Sequence, residues 1–178
     1  DEATLNVPFV DDTFTLGDIS YNSIWLDTNG WLRFGSDEFS ADYSPTERKF
    51  LDVPCIAIPW DDFKMYTSYL NFAKFYKEND QFYFLFSTTE YVDGAPQVKI
   101  KVTLNLDKHS EPGTIKLDIW SGPTDGENLL GVSYGTANAD SSFNLTENVD
   151  SDFVLYPRPI LATNFQNVVT TPKTFIFK

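Results

Sequence analysis

The chain has 178 residues and a formal net charge of −13 at pH 7, with 26 Asp and Glu against 13 Lys and Arg, and 16% of it is aromatic. That balance argues against nucleic acid and against an anionic bilayer as partners, because phosphate affinity is supplied chiefly by Lys and Arg. A single cysteine excludes an intrachain disulfide, and no apolar run reaches the length of a membrane span, so direct membrane insertion is not expected.

A length of this order fits one β-sandwich domain over residues 1–178 with a substantial core. The first residues, Asp1-Glu2-Ala3-Thr4-Leu5, show no signal-peptide pattern and read as a mature or excised fragment. Residues 4–10 and 14–16 read as short strands around the acidic turn Asp11-Asp12.

The next stretch, residues 21–35, holds two runs rich in β-branched and aromatic residues on either side of Asn29-Gly30. Asn-Gly is a strong hairpin signal, since both residues tolerate the positive φ of a type I′ turn. Ile24, Leu26, Leu32 and Phe34 would line one face; Trp25, Asp27, Trp31 and Arg33 would line the other. Ser44-Pro45-Thr46-Glu47 matches a capping box with proline at the first helical position, predicting a short helix to about residue 51. Residues 53–58 then read as a buried strand running through Pro59-Trp60 into Asp61-Asp62.

Residues 69–87 read as a second hairpin turning at Glu78-Asn79-Asp80, apolar on both faces and therefore expected in the middle of the packed structure. Val98, Ile100, Val102, Leu104 and Leu106 alternate with Gln97, Lys99, Lys101, Thr103 and Asn105, the period of a half-buried strand. Ile115, Leu117 and Ile119 continue that alternation after a turn, and the two strands are expected to pair. Further on, residues 129–134, 153–156, 165–169 and 174–177 are short apolar pieces, and 137–151 reads as a polar loop. Pro157, Pro159 and Pro172 hold the late strands to edges and turns.

Chemistry-bearing residues are few. His109 is the one histidine, in a turn beside Ser110 and Glu111, with no nucleophile elbow in the chain. One His and one Cys do not make a zinc site, and Cys55 lies in an apolar run where a thiol behaves as a small hydrophobe. Calcium takes carboxylate and carbonyl oxygens, so acidic doublets are its candidates. Asp61-Asp62 is the first, with Asp11-Asp12 and Asp150-Ser151-Asp152 behind it; the alternative is a set of solvated turns. Trp25, Trp31 and Trp120, and more distantly Trp60, are candidates for stacking on sugar rings if exposed on one sheet, against the alternative that loops or a second sheet cover them. Asn144-Leu145-Thr146 is an N-glycosylation sequon in a polar loop.

Asp27-Thr28-Asn29-Gly30-Trp31-Leu32-Arg33-Phe34-Gly35 resembles the hairpin of nidogen-like extracellular domains and related bacterial surface domains, and Ile56-Ala57-Ile58-Pro59-Trp60-Asp61-Asp62 is similar to their strand and acidic turn. The resemblance covers about residues 18–120 and implies a non-catalytic extracellular or surface interaction module, with no catalytic residues to carry over. The expectation is an all-β antiparallel sandwich, jelly-roll-like, of about ten strands with one short helix. As function it is an adhesion or interaction module whose partner is a protein or glycan on a surface. The alternatives are a lectin-like or virion surface domain and, third, a glycan-acting hydrolase whose two carboxylates would face each other across about 5 to 10 Å.

Overall fold

The computed structural model describes residues 3–35, 47–64, 72–90, 97–122, 129–135, 145–146, 154–155, 161–164 and 173–177. In the first sheet, β1 (Thr4–Pro8), β4 (Ser23–Asp27), β5 (Trp31–Phe34) and β6 (Pro54–Trp60) are followed by β12 (Leu129–Tyr134), β15 (Leu161–Asn164) and β14 (Val154–Leu155), in the order β1-β4-β5-β6-β12-β15-β14. The second sheet contains β13 (Leu145–Thr146), β16 (Lys173–Phe177), β11 (Ile115–Ser121), β10 (Gln97–Asn105), β9 (Gln81–Glu90) and β7 (Phe63–Lys64) in that order, with β8 (Phe72–Glu78) also paired to β9. A small ribbon joins β2 (Phe14–Leu16) to β3 (Ile19–Tyr21), and α1 (Glu47–Asp52) is the helix.

The expected all-β antiparallel sandwich is what forms. Alternation dictates it: Ile24, Leu26, Leu32, Phe34, Ile56 and Ile58 of the first sheet face Phe82, Phe84, Phe86, Val102, Leu104 and Leu117 of the second, all buried in one core. The described residues form sixteen strands, more than the ten expected, because β2, β3, β7, β13 and β14 are strands of two or three residues each. Meanders dominate both sheets (β4-β5-β6 and β8-β9-β10-β11), in place of the two Greek keys of a jelly roll. Residues 44–46 of the capping box lie outside the described residues, as do 137–144 and 165–169, while its Glu47 opens α1.

Turn chemistry departs from expectation at the first hairpin. Of Asn29-Gly30 only Gly30 has a positive φ, 78°. The turn closes through Gly30 N–H to the Asp27 carbonyl at 3.2 Å, and Gly30 then takes the left-handed position of a three-residue loop. The two-residue turn with both φ positive is at Asn79 (51°) and Asp80 (58°), between β8 and β9. The second hairpin also differs in placement. All seven residues of β8 are exposed, so it is an edge strand projecting past the core and not a central one. Its inward ring, Phe75, borders an apolar groove of about 180 Å³ shared with Leu5, Leu26 and Phe84.

Backbone packing is tightest where β12 ends. Gly135 has φ +71°, and a Cβ there would stand 2.8 Å from the nitrogen and Cδ of Pro54. Left-handed backbone and overlap act together, so Gly135→Ala is expected to destabilise the fold by about 1–3 kcal/mol, read from the urea midpoint at unchanged m-value. An unchanged midpoint would mean that the contact between β12 and β6 relaxes freely.

Candidate functional site

The two stretches that carried the resemblance meet in space. Ile58 N–H donates to the Gly30 carbonyl at 2.9 Å and Asp61 N–H to the Asn29 carbonyl at 3.0 Å. The Asn29 side-chain oxygen accepts from Phe63 N–H at 3.3 Å, and Asp27 Oδ1 accepts from Asn29 N–H at 2.8 Å. The hairpin loop is thus seated on the end of β6 and on the first residue of β7. Asn is suited to this because its carbonyl side chain stands in for a backbone acceptor.

Behind the loop lies a second buried cluster on the outer side of the first sheet: Trp31, Phe50, Val53, Cys55, Ala57 and Trp60. Trp31 and Trp60 stack at 4.2 Å between ring centres and 8° between planes, with the Arg33 guanidinium 5.0 Å from the Trp31 ring. Arg33 and Asp27 approach to 3.8 Å, and both side chains are completely enclosed. Phe50 of α1 belongs to this cluster, and its carbonyl accepts from the Cys55 thiol at 3.7 Å. Burial pushes the thiol from its ordinary 9.0 up to about 12, opposed by its contact with Trp31 and the charge of Arg33.

The sequence-derived candidates fall in separate places. Trp31 is buried and Trp25, on β4, is half-buried, both on the first sheet; Trp120, on β11 of the second sheet, is 46% exposed. The three therefore do not line one strip, because Trp31 is consumed by the stack with Trp60. Asp61 is buried and Asp62 half-buried, and Asp62 N–H donates to Asp61 Oδ1 at 2.7 Å, so the doublet is part of the loop junction and not a solvated turn. Calcium takes six to eight oxygens, and among the described residues no group of three or more His, Cys, Asp or Glu side chains is placed to hold a metal. His109 Nδ1 accepts from Glu111 N–H at 3.0 Å within its own turn. Asn144, Asp150 and Asp152 lie outside the described residues.

A family profile described as NIDO-related matches residues 1–117. The chain belongs to the NIDO-related family. No curated protein and no solved structure matches it. The matched segment contains the hairpin, α1, β6 and the strands to β11, so the loop junction lies inside it. A NIDO-related domain is an extracellular, non-enzymatic kind of module. Among the described residues no helix is long and apolar enough to cross a membrane.

Sequence reasoning found both halves of the junction but not their contact, nor the burial of Asp27, Asn29, Arg33 and Asp61. It also missed the exposed rings of β8, Phe72, Phe75 and Tyr76, which read as core by composition.

Removing one partner of an enclosed ion pair strands the other, so Arg33→Met is expected to cost about 3–5 kcal/mol, and Asp27→Asn in the same chain to restore part of it; a double-mutant cycle in urea measures both. Equal loss in the single and double variants would show that packing, not charge, carries the effect. For Cys55 the folded state holds the proton more tightly than the unfolded state, so stability falls as pH rises above about 9. Relative to Cys55→Ala, the wild type should lose about 1 kcal/mol between pH 8 and 10, with no thiol-reagent labelling of the folded protein at pH 8.

Proposed function

We propose that the chain is a non-catalytic adhesion or interaction module acting in an extracellular or surface setting, with a protein or glycan partner bound by the outside of the second sheet. The observation that carries this reading is where the exposed large apolar side chains stand. Phe72 and Tyr76 lie on the outward face of β8 and Trp120 lies on β11, so these large exposed rings share the outer side of one sheet. Asp27, Arg33 and Asp61 at the loop junction are enclosed in the first sheet and α1 closes over that side, which leaves these three no access to a substrate. Exposed aromatic side chains are the residues on which interface energies concentrate.

The test is capture on an array of extracellular proteins and glycans, with wild type beside Phe72→Ala/Tyr76→Ala. A captured partner that is recovered unaltered, and bound at least about tenfold more weakly by the double variant at unchanged thermal midpoint, is the expected result. A partner cleaved or modified on contact, or bound equally by the variant, overturns it.

A further inference from the structure

The net charge of the chain conceals an asymmetry. Along β9 to β11, alternation turns Phe84, Phe86, Ile100, Val102 and Leu117 into the core, which turns the residues between them outward. The register then aligns Lys74 of β8 with Leu85, Leu85 with Lys101, and Lys101 with Asp118. Lys99 lies two residues from Lys101 along β10, and Lys116 two residues from Asp118 along β11. Strands lie about 4.8 Å apart and alternate residues about 7 Å apart, so these four ammonium stems share a patch about 15 Å across.

Among the described residues of these strands, the carboxylates on this face are Asp118 and, at the hairpin end, Glu78. Asp118 is engaged by Lys116 at 3.0 Å and by the Thr174 hydroxyl at 2.7 Å. Among the described residues of β8 to β11, four cations against two anions reverses the ratio of 13 to 26 in the whole chain. At physiological salt, charges more than about 8 Å apart are largely screened, so a ligand on this face meets the local charge and not the total.

Aromatic rings are interleaved with the lysines. Tyr76 stacks on Tyr83 at 4.7 Å, and Lys101 Nζ lies 4.5 Å from the Tyr83 ring centre. Lys74 Nζ lies 5.0 Å from the ring of Phe72. Such contacts narrow the volume each ammonium explores. Trp120 is the residue that the pairing skips at the irregularity opposite Lys99 and Ile100, where Lys99 pairs with Ser121 and Ile100 with Ile119. A bulge re-aims a side chain, and here the indole is 46% exposed.

We infer that this outer face binds an acidic glycan, a chain of pyranose rings carrying carboxylate or sulfate groups. The inference rests on the reading of the chain as a surface interaction module and names the partner's chemistry. Ammonium groups pair with the anions, while Trp120 and Tyr76 offer flat ring faces to the apolar sides of the sugars. An acidic peptide would meet the lysines but has no sugar ring to stack on the indole.

The experiment uses heparin as the probe, measured by calorimetry on the whole chain at 50 and 300 mM salt, beside neutral dextran and polyglutamate. Binding that weakens at least tenfold between the two salts is expected, with dextran and polyglutamate at least tenfold weaker than heparin. Lys99→Glu/Lys101→Glu should bind heparin at least tenfold more weakly, and Trp120→Ala about three- to tenfold more weakly, with melting curves like the wild type. No heparin binding at 50 mM salt, equal binding by the lysine variant, or polyglutamate binding as tight as heparin would each overturn the inference. Array capture of another partner, lost with Phe72→Ala/Tyr76→Ala, would then leave the interaction module standing without its acidic glycan.

Discussion

The seating of the hairpin loop on β6 is the constraint on which the rest of the sandwich depends. Chain direction forces it, since β6 belongs to the first sheet and β7 to the second, so the chain changes sheets within a few residues of Trp60. Asn29 holds both sides of that change, accepting from Asp61 N–H through its backbone and from Phe63 N–H through its side chain. Phe63 in turn packs edge-on against Phe86, with ring centres 5.5 Å apart, in the main core. Without the loop's acceptors, two buried N–H groups would lose partners at the point where the two sheets are joined, and each such loss costs on the order of 1–3 kcal/mol.

That constraint explains why β5 and the middle of β6 are buried on both sides. A loop pinned over the end of β6 brings Trp31 onto Trp60, and the stack makes an apolar floor that α1 covers with Phe50. Asp27 and Arg33 share this outer side by alternation and are enclosed with it. Enclosing both charges together is tolerable where enclosing either alone would not be, and the indole under the guanidinium adds a cation–π contact. The cost of this arrangement is chemical access to Asp27 and Arg33, which hold the fold together instead.

Local pattern made the main core legible: the alternation of Val98, Ile100, Val102 and Leu104 gave the strand, its buried face and its pairing with Ile115, Leu117 and Ile119. What it could not give was anything set by a distant neighbour. Asn29-Gly30 has the composition of a type I′ turn, but the loop's fit to β6 leaves Gly30 alone at positive φ, while Asn79-Asp80, whose Asp80 carbonyl accepts from Leu106 N–H at 3.0 Å, takes the two-residue form. Phe72, Phe75 and Tyr76 have core composition, yet β8 lies at the edge of the second sheet, where Phe75 lines an open groove beside Leu5 and Leu26 and the other two rings stand on the outward face. Trp31 and Trp120 look alike in sequence and differ because one meets Trp60 and the other sits at a bulge. The outward lysines were visible one strand at a time, and only the register across four strands makes them a patch.

A projecting strand with aromatic side chains is a hazard as well as a surface, because its edge can pair with other chains. Lys74 and Lys77 on β8 are the kind of residue that opposes such pairing. Lys77 also donates to the Val10 carbonyl at 2.9 Å and pairs with Asp12 at 3.3 Å, while Lys108 donates to the Asp11 carbonyl. Val10 and Asp11 both have positive φ, 39° and 59°, which costs a β-branched residue more than most. The strained turn after β1 and the projecting strand therefore steady each other through one side chain. The edges of the two sheets are tied at that corner, and the outer face of the second sheet stays open because β8 is fixed from its inner side.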